Sequence, residues 1–163
     1  MPYTTTIFHD HSPSSKVPKG AHAACEHAAK RFHEPLTLAD LAFAAQLPAS
    51  TLSRHFQRSF GITPMRWLWS FRTLLAAELI AIHPSWPLQL ISKECGFTSQ
   101  AHFSRRFHAL FEETPRGFRK HFLTRNHPTP PAPDRPTISP LLHERLIQAT
   151  LSKLMARPWH HLR

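Results

Sequence analysis

The chain repeats itself. Laid over residues 88–97 with an offset of 50, residues 38–47 pair Leu38 with Leu88, Leu41 with Ile91, Ala45 with Cys95 and Leu47 with Phe97. Further on the offset becomes 51, and Leu52 meets Phe103, Ser53 meets Ser104, Arg54 meets Arg105, Phe56 meets Phe107 and Phe60 meets Phe111. Thr63-Pro64 then meets Thr114-Pro115. A short helix, a turn and a longer helix are thus written twice, with one residue inserted in the second turn. Only four glycines occur in 163 residues, which argues against a turn-rich β fold. The expected class is all-α, with two helix–turn–helix units joined by a long connecting helix.

The boundaries carry their own grammar. Thr37 with Asp40 has the form of a capping box at the start of the first unit. Gly96 suits the left-handed residue that ends a helix, and Gln46 in the same place of the first unit costs about 1 kcal/mol if it is left-handed. Ser99 suits an N-cap, and each Thr-Pro pair suits an N-cap followed by Pro at the first helical position. These signals divide the chain into an N-terminal arm (1–20, expected mobile) and a folded region (21–123). The latter holds an Ala-rich first helix, the first unit (37–61), a connecting helix (64–83) and the second unit (87–112). Residues 124–140 are an expected linker, with six prolines between 128 and 140. Residues 141–163 contain a candidate amphipathic helix.

The last helix of each unit, about 49–60 and 99–111, carries the functional signal. Leu52, Phe56 and Phe60, like Phe103, Phe107 and Phe111, recur every four residues and form one apolar stripe. The opposite face then holds Ser50, Ser53, Arg54 and Gln57 in the first unit, and Ala101, Ser104, Arg105 and His108 in the second. Small residues around an arginine let a helix approach a major groove closely, where a guanidinium can pair with guanine O6 and N7. The connecting helix spans about 30 Å at 1.5 Å per residue. That is close to the ~34 Å between successive major grooves on one face of a duplex. Trp67, Leu68, Phe71, Leu75 and Leu79 are its expected core positions, with Trp69 and Trp86 at the junctions between units.

Charge supports a polyanionic partner: Lys+Arg 20 against Asp+Glu 10, a formal +10. Cys25 and Cys95 are too few for a disulfide framework, and no apolar run reaches the roughly 20 residues a membrane span needs. The first twenty residues lack a secretory apolar core. Fourteen histidines raise a metal hypothesis, but His9/His11, His22/His27 and His160/His161 have no ligand spacing and no completing carboxylate or cysteine. Asp10, Asp40 and Asp134 are scattered, so no metal-dependent nuclease site is expected. Neither cofactor, metal nor catalytic residue is expected.

Residues 95–107 (CGFTSQAHFSRRF) followed by 114–119 (TPRGFR) resemble the signature of the AraC/XylS transcription regulators. Leu52-Ser-Arg-His-Phe56, Gly61-Ile-Thr-Pro64 and the connector residues Arg72, Ala76, Leu79 and Ile80 are similar to the same family. The resemblance covers residues 22–123. It implies an all-α domain of about seven helices and a bacterial promoter regulator, activator or repressor, acting in the cytoplasm at the nucleoid. Base-reading positions would be Ser50, Ser53 and Arg54, then Gln100, Ala101, Ser104 and Arg105. Phosphate contacts would come from Arg58, Arg66, Arg106 and Arg116. Gln46 and Ser92 depart from the family's usual small turn residue and alanine. Most members carry a separate effector domain, and about 20 residues before the first helix point to a stand-alone reader or one that has lost its sensor. The expected partner is double-stranded promoter DNA, with RNA polymerase a further candidate and the monomer the expected state. Alternatives are a non-specific DNA binder, a decayed regulator fragment, or a protein binding partners through its C-terminal helix.

Overall fold

The computed structural model describes residues 17–125, 148–150 and 152. Seven helices follow one another: α1 (Lys19–Lys30), α2 (Leu38–Ala44), α3 (Ala49–Phe60), α4 (Pro64–Ile82), α5 (Leu88–Glu94), α6 (Gln100–Phe111) and α7 (Pro115–Arg125). No strand occurs among the described residues. The first helix begins at Lys19, two residues before the expected start at 21, because Pro18 fixes the turn before it and Gly20 packs against Leu47. Most of the expected arm (1–16), the Pro-rich linker (126–140) and most of the candidate C-terminal helix lie outside the described residues. Of that last segment, 148–150 and 152 are helical and Thr150 is buried.

Local chemistry sets the boundaries. Thr37 and Asp40 form the reciprocal box: Asp40 N–H donates to Thr37 Oγ1 at 3.3 Å and Thr37 N–H to Asp40 Oδ2 at 2.7 Å. Thr63, Ser99 and Thr114 each accept from a backbone N–H three residues on. Pro64 and Pro115 open α4 and α7, where a missing N–H is no loss. The two turns are built alike. Leu47 N–H reaches back to the Ala42 carbonyl and Phe97 N–H to that of Ser92, around left-handed residues Gln46 (φ 54°) and Gly96 (φ 76°). Two more left-handed residues end the longer helices, Gly61 (φ 72°) after α3 and Glu112 (φ 56°) after α6.

Each unit has an aromatic core. In the first, Phe56, Phe60 and Phe71 gather around Trp67, with Phe32 against Phe71. In the second, Phe97, Phe103, Phe107 and Phe118 pack edge to face or tilted in a chain. Leu52, Phe56, Phe60, Phe103 and Phe107 are buried, as their four-residue recurrence requires, while Phe111 is only half-buried against Phe118. The α4 helix packs against elements of both units and is buried on most of its circumference over Trp67–Ile80. A helix apolar nearly all round belongs inside, so α4 is a shared core element as well as a spacer. Cys25 and Cys95 are free and buried, and burial pushes both thiols well above their usual range.

Candidate nucleic-acid interface

The α3 and α6 helices lie with their phenylalanine stripes inward, so their outer faces are determined by 3.6-residue geometry. Ser50 and Arg54 on α3 and Ala101 and Arg105 on α6 are exposed, while Ser53 and Ser104 are half-buried beside them. The expected base-reading side chains therefore share one face within each helix. Gln100 is exposed but not idle: the buried Ser92 hydroxyl shares its proton between the Gln89 carbonyl (3.0 Å) and the Gln100 carboxamide oxygen (3.2 Å). The serine that replaces the family's alanine thus ties Gln100 back to α5, leaving mainly its NH₂ to face outward. Gln57 is exposed too, and donates to the Gly61 carbonyl at the end of its own helix at 3.1 Å.

The four expected phosphate-contacting arginines separate into two kinds. Arg58 and Arg116 are exposed. Arg66 and Arg106 are half-buried and line one cleft between α4 and α6, together with Trp69, Ser70, Thr73, Ala109 and Leu110. Arg106 donates from Nε to His102 Nε2 at 3.1 Å and lies 5.9 Å from the Trp69 ring centre. Burial, then the nearby charges of Arg66 and Arg105, lower its pKa. The first turns of α3, α4, α6 and α7 contain no acidic residue. Arg66 and Arg116 instead add cations at the positive ends of α4 and α7, an arrangement unfavourable in isolation by about 0.3–1 kcal/mol each. An anionic partner relieves it.

Two residues that matter were not visible as such. Arg72 is 2% exposed; its Nε donates to the Phe32 carbonyl at 2.7 Å, its second nitrogen to the Glu34 carbonyl at 2.6 Å, and its guanidinium lies 4.5 Å from the Trp69 ring centre. Its spacing from Leu68 and Ala76 places it on the buried stripe of α4, which was the available signal. His102 gave no signal. Its ring meets Trp69 at 4.4 Å, and burial, with Arg106, Arg105 and Arg72 adding repulsion, lowers its pKa.

A neutral His102 is what the bond from Arg106 requires, and His83, stacked on Trp86 at 4.2 Å, is also shifted down by burial. The unfolded chain then binds more protons than the folded one just below pH 6.5. Stability should hold above about pH 6.5 and fall as pH drops through the lowered folded values. Urea midpoints at pH 7.5 and 5.5 test this, and His102→Asn should shrink the difference. An unchanged difference in that variant rejects the assignment to His102.

Among the described residues no group of His, Cys, Asp and Glu is placed to hold a metal ion. Nor is any helix among them long and apolar enough to cross a membrane. A family model for a helix-turn-helix domain matches residues 26–121. The chain is 32% identical over 87 residues to the uncharacterized HTH-type transcriptional regulator YdeC of Bacillus subtilis, covering 53% of this chain and 30% of that one. It is 30% identical over 94 residues to the transcriptional activator RhaS of Pectobacterium carotovorum, covering 58% and 33%. The match spans about a third of the length of these curated relatives. Among solved structures, the C-terminal domain of the response regulator AraT from Geobacillus stearothermophilus aligns with TM-score 0.61 and 26% identity, over 66% of this chain and 88% of that one. An AraC-type regulator from Chromobacterium violaceum aligns with TM-score 0.59 and 27% identity, over 63% and 91%. With the twinned helix-turn-helix units, their connector and these likenesses in agreement, the chain belongs to the AraC/XylS family of transcription regulators and carries its DNA-binding domain.

Proposed function

We propose that this chain regulates transcription by reading duplex DNA sequence-specifically, with α3 and α6 in successive major grooves. The observation that carries this reading is the pair Arg54 and Arg105: equivalent in the repeat, exposed, and each opposite a buried phenylalanine stripe. The α4 helix, at 19 residues, is about 28 Å long, near one groove-to-groove interval. Arg54 and Arg105 read bases, with Ser50, Ser53, Gln100, Ala101 and Ser104 shaping the approach. The arginines at 58, 66, 106 and 116 hold phosphates. One monomer suffices for a two-groove site, and the cytoplasmic nucleoid is where such a protein acts. RNA polymerase is a natural second partner for a promoter-bound regulator.

Selection of bound sequences from random duplex DNA at physiological salt tests the reading. A bipartite motif within about 20 base pairs is expected, and recovery of no motif refutes it in favour of a non-specific binder. Arg105→Ala should weaken binding to the selected site by about 1.5 kcal/mol, roughly tenfold, and relax preference at one base pair. Arg58→Ala should weaken all sequences alike and flatten the salt slope by about one unit. Competition assays with single-base variants separate the two outcomes, and an unchanged slope in Arg58→Ala rules out its phosphate contact.

A further inference from the structure

The cleft between α4 and α6 brings two arginines together with no anion to divide them. Arg66 stands in the first turn of α4 and Arg106 midway along α6, so they come from different elements and meet only because the fold closes. No carboxylate lines the cleft, and no ion pair to either arginine occurs among the described residues. The charges acting on Arg106, those of Arg66 and Arg105, are both positive. Two like charges held in a partly buried place repel more strongly than in water. The α4 N-terminus, capped by the neutral Thr63, adds its own positive end.

The remaining features suit one small oxyanion. The cleft is small, about 40 Å³, and opens to solvent. The Ser70 and Thr73 hydroxyls are committed to the backbone carbonyls of Arg66 and Trp69. The donors left for a ligand are therefore guanidinium N–H groups. Arg106 has given only its Nε, to His102, which orients the planar group against Trp69 and leaves its two terminal nitrogens. Guanidinium forks match phosphate oxygens in pairs, which two lysines in the same places would not do.

We propose that Arg66 and Arg106 form a single clamp that grips one phosphodiester of the bound DNA, beside the groove occupied by α6. The proposal rests on the DNA-reading role above and deepens it: two arginines share one phosphate. DNA, rather than free phosphate, is the source because Arg105, the exposed base-reading candidate, adjoins Arg106 and acts on its charge. His102 is the positioning residue.

A double-mutant cycle on the selected duplex tests it, using Arg66→Gln, Arg106→Gln and the pair, with melting curves confirming that each folds. Each single variant should lose about tenfold in affinity, and the pair little more than either alone. One neutral methylphosphonate in the duplex should cost the wild type the same factor while leaving both variants unaffected. Lysine at either position should restore affinity only in part. Multiplying losses, or insensitivity of the two variants to different phosphate positions, means separate contacts and overturns the clamp, while a retained bipartite motif shows that the reading role survives. Wild-type protein that selects no motif fails both. Displacement of DNA by millimolar inorganic phosphate at constant ionic strength, lost in both variants, would assign the cleft to a free oxyanion instead and also overturns the proposal.

Discussion

Arg72→Met should lower the thermal midpoint of this domain by roughly 15 °C. The side chain is buried on the α4 stripe, and its guanidinium holds the Phe32 and Glu34 carbonyls, which lie just past the end of α1. Burial pushes its pKa down to about 10, so it stays charged at neutral pH without a carboxylate to pair it. Methionine preserves much of the apolar stem and removes the burial cost, yet deletes both hydrogen bonds from the charged donor, while the Glu34 carbonyl keeps the Leu36 N–H at 2.8 Å. Hydrogen bonds from a charged donor are worth about 1.5–3 kcal/mol each, and the relieved burial cost offsets part of the two that are lost. A net loss of about 2–3 kcal/mol follows, and each kcal/mol shifts a domain of this size by roughly 4–8 °C. Arg72→Lys keeps the charge but reaches one carbonyl, so it should fall between. Melting curves at pH 7.5 decide the matter, and a methionine variant as stable as the wild type removes Arg72 from this role.

Periodic and local features were readable in the sequence: the twin stripes, the Thr37–Asp40 box, the caps at Thr63 and Ser99, and the left-handed Gln46 each depend on neighbours within a few residues. Arg54 and Arg105 could be placed outward because the phenylalanines opposite them left no other face. Contacts made by folding were not readable in the same way. Arg72 bonds carbonyls 38 and 40 residues away, and nothing in its neighbourhood specifies them. Arg66 and Arg106 each looked like an independent surface cation, because their shared cleft exists only once α6 lies on α4. Gln100 looked free for the same reason, since its tether to Ser92 crosses a turn.

The two left-handed turn residues give the sharpest comparison of the repeats. Gln46→Gly should stabilise the protein by about 1 kcal/mol, since an exposed residue at φ 54° carries a left-handed penalty that glycine lacks. Gly96→Ala should do the reverse and more, destabilising by about 3 kcal/mol. The φ of 76° accounts for roughly 1–2 kcal/mol. The rest is steric: a Cβ at position 96 would stand 2.5 Å from the Phe32 carbonyl oxygen and 3.0 Å from Arg72 Nε. One is backbone and the other is fixed by two hydrogen bonds, so neither yields freely. The same carbonyl is the acceptor that Arg72 needs, which couples this turn of the second unit to the end of α1. Gly96→Ala and Arg72→Met together should therefore lose less than the sum of their separate losses, because both break the same contact. Additive losses in urea unfolding would mean that the turn and the buried arginine act independently, and that the two units are not held in register through Phe32.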